Sequence, residues 1–99
     1  MLLRDKDREA IISISKEIFK NPITIWAYGS RVNGNAHDMS DLDLVLISKD
    51  ASKINISEYV DFKESLVDSN IPILIQVLDW NRIPEYFHKN ILRNYKELI

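Results

Sequence analysis

Between Asp7 and Lys20 the apolar residues Ala10, Ile11, Ile12, Ile14, Ile18 and Phe19 recur near helical spacing among polar neighbours. This pattern predicts a first helix with Asp5 or Asp7 as its N-cap. Asn21-Pro22 ends it, because the residue before proline is pushed out of the helical backbone region. In ITIWAYG the period changes: β-branched and aromatic residues running up to Gly29 predict a short central strand from Ile23 to Tyr28. DLDLVLIS predicts a second strand from Asp41 to Ser48. SEYVDFKESLVDSN places Tyr59, Phe62, Leu66 and Val67 on one helical face, so a helix begins near Ser57 and stops at Asp68-Ser69-Asn70. IPILIQVLDW is nearly all apolar, which predicts a third strand buried on both faces and interrupted only by Gln76. PEYFHKNILRNYKEL predicts a last helix from Pro84 to Leu98, with Phe87, Ile91, Leu92, Tyr95 and Leu98 at helical spacing and proline in the first turn. The order α-β-β-α-β-α describes an α+β fold in two layers, a small mixed sheet flanked by helices, forming one domain over residues 1–99.

Composition narrows the function classes. In 99 residues every element must serve one core. The 13 basic and 15 acidic residues leave a net charge of -2, without the basic stripe that binding to duplex nucleic acid requires. Cysteine is absent, which removes disulfides and thiolate metal sites. The charged start MLLRDKDRE lacks the apolar core of a secretory leader, and no apolar run approaches the roughly 20 residues that cross a bilayer. A cytoplasmic protein with no membrane role is expected. A domain this small leaves apolar edges to cover, so self-association is open, although no heptad or interface stripe argues for it.

The chemistry concentrates in GSRVNGNAHDMSDLDL, residues 29 to 44, which holds both glycines of the chain. Gly29-Ser30 at a strand end permits a sharp turn whose backbone N–H groups and hydroxyl face outward, an arrangement that takes phosphate; the same pair also serves ordinary turns. Gly34 fits a tight loop or the close approach of a ligand. Arg31 is placed either to meet a phosphate or to be solvated. Asp41 and Asp43 lie two apart, so a strand presents both carboxylates on one face while Leu42, Leu44 and Leu46 point to the other. Two like charges side by side suit a hard divalent cation such as Mg²⁺, which binds through one or two carboxylates plus substrate phosphates; the other reading is a solvated strand edge. A nucleoside triphosphate with its cation fits between the turn and the carboxylate pair. His37 and His88 have no partner at metal-ligand spacing and are expected at the surface. Trp26, Trp80 and the four tyrosines are expected in the core or at its rim.

Gly29, Ser30, Gly34, Ser40, Asp41, Asp43 and Leu44 together form a pattern that resembles the signature of the DNA polymerase β-like nucleotidyltransferase superfamily, and length and element order are similar to its smallest members, the minimal nucleotidyltransferases. The resemblance implies a nucleotidyltransferase fold in which Gly29, Ser30, Arg31, Gly34 and Ser40 form the phosphate side. Asp41 and Asp43 are the implied catalytic and metal-binding residues, with Mg²⁺ or Mn²⁺ as cofactor. The implied reaction is transfer of a nucleoside monophosphate, AMP from ATP, to an acceptor hydroxyl. Members of this kind often pair with a helical HEPN-domain protein as antitoxin and toxin, which makes such a protein the implied partner and acceptor.

The chain departs from the family at one place. Gln76 stands where the resemblance implies a third carboxylate, and glutamine is neither charged nor a base. An active transferase and a weakened nucleotide-binding module that neutralises its partner by contact therefore both remain open. Gln76 also has an ordinary alternative, a hydrogen bond to a neighbouring side chain. Asp79 replaces the missing acid only if a bulge reverses the strand's facing, since it lies three residues on.

Overall fold

The computed structural model describes residues 3–33 and 41–99. Helix α1 spans Asp5–Ile18, strand β1 Ile23–Tyr28, the single turn α2 Ser30–Asn33 and strand β2 Leu42–Ser48. Helix α3 follows at Ile56–Val67, strand β3 at Ile75–Asp79, helix α4 at Glu85–Arg93 and strand β4 at Tyr95–Glu97. The sheet order is β3-β2-β1-β4. β1 pairs antiparallel with β2 and β4, whereas β2 pairs parallel with β3, so the sheet is mixed and β1 is interior, as its composition predicts.

Alternation along the strands separates two faces. Ile25, Ala27, Leu42, Leu44, Leu46 and Val77 form one core with Ile11 of α1 and with Phe62 and Leu66 of α3. Phe19 closes this core against Phe62, with ring centroids 5.2 Å apart. The opposite face carries Trp26, Tyr28, Asp43, Val45 and Gln76. Helix α4 meets it through rings: Phe87 stands edge-on to Tyr28 at 6.2 Å, and His88 stacks on Trp80 at 3.7 Å. Among the described residues no helix is long and apolar enough to cross a membrane.

Several boundaries differ from those the sequence predicts. Residue Arg4 caps α1 without a side-chain bond. Asp7 instead sits buried in the first turn, where both its oxygens accept from the Arg4 guanidinium at 2.9 and 3.0 Å. An acid here also complements the helix N-terminus. α3 starts one residue before Ser57 because Asn55 caps it, its Oδ1 accepting from the Ser57 and Glu58 amides. β3 is shorter than the apolar run and lies at the sheet edge: Leu74 is 72% exposed and Gln76 faces solvent, so the strand is not buried on both faces. α4 stops at Arg93, and residues 95–97 pair with the free edge of β1 instead of extending the helix. Backbone pairing outweighs helical spacing here: Leu98 N donates to Ile25 O at 2.7 Å, and the Leu98 side chain enters the core.

Candidate active site

Asp43 lies on the second face near the start of β2. Its pairing partners are Tyr28 across the antiparallel β1–β2 ladder and Gln76 across the parallel β2–β3 ladder. Residues paired in this way point to the same side of the sheet. Asp41, two residues earlier, also points there, and its Oδ2 accepts a bond of 3.2 Å from Gln76 Nε2. Leu42, Leu44 and Leu46, which alternate with the two carboxylates, are fully buried on the other face.

Gly29 brings the phosphate turn to this pair. Its φ of +83° lies in the left-handed region, and a Cβ built there would collide with Asp43 Oδ2 and stand 3.3 Å from Asp43 Cγ. Only glycine lets the turn approach the carboxylate so closely. Ser30 then opens α2, and Val32 N closes the turn onto Gly29 O at 3.0 Å. Arg31 is buried, which excludes a freely solvated side chain. Gly34, Ser40 and His37 lie outside the described residues.

Electrostatics follow from this crowding. Partial burial, and then the charge of Asp41, push the Asp43 carboxyl above the ordinary carboxylate value. Tyr28 is pushed up to about 12, first by burial and then by the charge of Asp43. The ion pairs Arg4–Asp7 and Arg82–Asp79 are made elsewhere in the molecule and do not involve the Asp41–Asp43 pair. A divalent ion suits such a donor set: two acceptor-only carboxylates on one face with an amide beside them.

Asp79 does not join this site. The β2–β3 register runs without a bulge and pairs Asp79 with Leu46, so its side chain turns to the core face. There Oδ2 accepts from Ile54 N at 2.8 Å and from Arg82 Nε at 3.1 Å, and Oδ1 accepts from Asn81 N at 3.0 Å. His88 is likewise not a surface residue; it is half-buried, lies nearly parallel to Trp80 with a tilt of 5°, and donates from Nε2 to the Trp80 carbonyl at 2.7 Å. Trp26, Trp80, Tyr28 and Tyr59 are half-buried at the rim of the packed interior, where Trp26 meets Trp80 edge-on and Tyr95 stacks on Trp26 at 4.0 Å, but Tyr86 is 69% exposed and departs from the expectation. Tyr28 is the neighbour of the site that the sequence does not single out. Its place opposite Asp43 depends on the β1–β2 register, which the residue pattern does not display.

The sequence matches the family described as Polymerase beta, Nucleotidyltransferase over residues 9–99. It is 38% identical over 72 residues to a Haemophilus influenzae protein named probable protein adenylyltransferase MntA. That alignment covers 73% of this chain but spans only 61% of the length of that relative. Among solved structures, a chain of a toxin–antitoxin complex with AMP-PNP is similar at a TM-score of 0.76 and 16% identity, covering 93% of this chain and 72% of that one. A chain from a complex of tri-AMPylated Shewanella oneidensis HEPN toxin with MNT antitoxin is similar at a TM-score of 0.72 and 12% identity, over 98% of this chain and 72% of that one. At such identities the structural likeness establishes a common fold.

Proposed function

Because the chain belongs to the polymerase beta nucleotidyltransferase family, we propose that it transfers AMP from ATP to a hydroxyl of a HEPN-type partner protein. The observation that carries this reading is the contact of the Gly29 turn with Asp43, beside Asp41 on the same sheet face. The reading is also supported by the named activity of the Haemophilus influenzae relative and by the AMPylated toxin in the structurally similar complex.

In this proposal the turn at Gly29 and the Ser30 hydroxyl hold the triphosphate through hydrogen bonds, with Arg31, Gly34 and Ser40 completing the phosphate side. Asp41 and Asp43 hold a divalent cation, Mg²⁺ or Mn²⁺. Such an ion, when bound, offsets phosphate charge and favours in-line displacement at the α-phosphorus. The acceptor oxygen forms the new bond to that phosphorus as the bond to pyrophosphate breaks, and the hydroxyl proton passes to water or to the departing pyrophosphate. Tyr28 keeps its proton at neutral pH, since its phenol is raised to about 12, and so walls the site as a neutral group.

One observation favours a second reading, in which the protein neutralises its partner by contact and nucleotide is only a ligand: Gln76 stands on the face where a third acid would accept the acceptor's proton, and Asp79 points away. Intact-protein mass spectrometry of a HEPN-type partner incubated with this protein, ATP and Mg²⁺ decides between them. A gain of one or more AMP masses, lost in Asp41→Ala and in Asp43→Ala, is the expected result. No gain with the native chain but a gain with Gln76→Asp would assign the contact reading instead.

A further inference from the structure

Gln76 is exposed, yet its amide is committed. An ionised carboxylate only accepts hydrogen bonds, so the end of the amide that meets Asp41 Oδ2 at 3.2 Å is its N–H end. The bond joins residues 35 positions apart in the sequence, so it exists only in the folded sheet. Asp41 also precedes β2, whose ladder begins at Leu42, so strand pairing does not restrain it as it restrains Asp43. Asp43 by contrast is fixed by the ladders on both sides and by the close approach of Gly29.

We propose that Gln76 is a positioning residue: it holds the Asp41 carboxylate beside Asp43 and offsets part of the like-charge repulsion, instead of ligating a cation itself. The inference rests on the nucleotidyltransferase reading and deepens it, because it assigns to the residue in the acid's place a role that a carboxylate there could not perform. A third acid would add a third negative charge to a pair that already repels, whereas an amide donor binds one member of the pair. Partners that orient a metal-ligating carboxylate in this way are typically worth 10- to 100-fold in metal affinity.

The test measures Mn²⁺ affinity by electron paramagnetic resonance, in the presence of a non-hydrolysable ATP analogue, for the native protein, Gln76→Leu, Gln76→His and Asp43→Ala. Thermal melting confirms that each variant is folded. Gln76→Leu keeps much of the bulk without the donor and should weaken binding about tenfold, while Gln76→His retains an N–H and should stay within about threefold of native. Equal affinity of Gln76→Leu and native protein, or equal loss in Gln76→Leu and Gln76→His, overturns the positioning role. If the native protein takes up no Mn²⁺, or if Asp43→Ala binds as native does, the nucleotidyltransferase reading falls and this inference with it. Where the native protein binds and Asp43→Ala does not, the two Gln76 variants alone decide the positioning role. A second readout needs no cation: in ¹H–¹⁵N spectra the Gln76 side-chain amide resonances should move on Asp41→Ala, and unmoved resonances would overturn the bond itself.

Discussion

Gly29 joins backbone and chemistry at the scale of one residue. A side chain there meets the left-handed φ of +83° and the Asp43 carboxylate at once, so Gly29→Ala should cost about 1–2 kcal/mol in urea denaturation from the backbone term alone. The same substitution should remove nucleotide binding, because the turn or the carboxylate must shift. Asp43 carries the opposite signature. Its folded-state value is raised above the ordinary 3.8 by burial and by Asp41, so its contribution to stability is greatest below 3.8 and is lost as pH rises through the folded value. In cation-free protein, Asp43→Asn should therefore melt higher than the native chain at pH 7, with the gap closing as pH falls below 3.8. Of these details the sequence displays the two aspartates, because a period of two fixes their common face. It does not display the contact of Gly29 with Asp43 or the bond from Gln76 to Asp41, since both join residues that only the strand registers bring together.

At the scale of elements, Asp79 shows how one strand serves two purposes on its two sides. β3 offers Gln76 to the site and, three residues on, Asp79 to the core face, where it ties the segment before α3 to the turn after β3 through the Ile54 and Asn81 amides and Arg82. Asp79→Ala leaves the buried Ile54 amide and two partly buried donors without their acceptor and should destabilise the protein by about 3 kcal/mol in urea denaturation. Mn²⁺ affinity should be unchanged in the folded variant, because this carboxylate faces away from the pair. Most elements are legible in their periodicity: β1 matches its predicted residues, and β2 begins one residue later than predicted. The segment 95–98 is not, because Tyr95 and Leu98 suit a helical stripe as well as they suit a strand, and only the unpaired edge of β1 decides between the two. The edge position of β3 is hidden for a similar reason, since an apolar run reads alike whether one neighbour flanks it or two.

The whole molecule depends on that last strand. Residues 95–99 supply β4, the buried Leu98 and the backbone bonds that join Leu98 and Ile99 to Ile25, and Arg8 of α1 donates to the Leu98 carbonyl at 3.2 Å. Removing residues 95–99 should therefore abolish the cooperative thermal transition followed by circular dichroism, although none of these residues carries a carboxylate or amide of the proposed site. The Asp43 carboxylate and Gln76 lie on β2 and β3, on the far side of β1 from this strand, while the Gly29 turn follows β1 itself. Its integrity is thus a property of the completed sheet and not of the signature residues alone.

The placement of β4 also has a kinetic consequence. Trp26 pairs with Glu97, so one edge of β1 waits for a partner about 70 residues downstream, and contacts of such long range slow folding. While the chain is being synthesised, β1 emerges early with that edge open, and an open edge recruits strands from other molecules. The ribosome holds back the segment that would cover it. An edge of β1 that stays open until residues 95–97 pair with it is therefore where incomplete chains of this protein should associate.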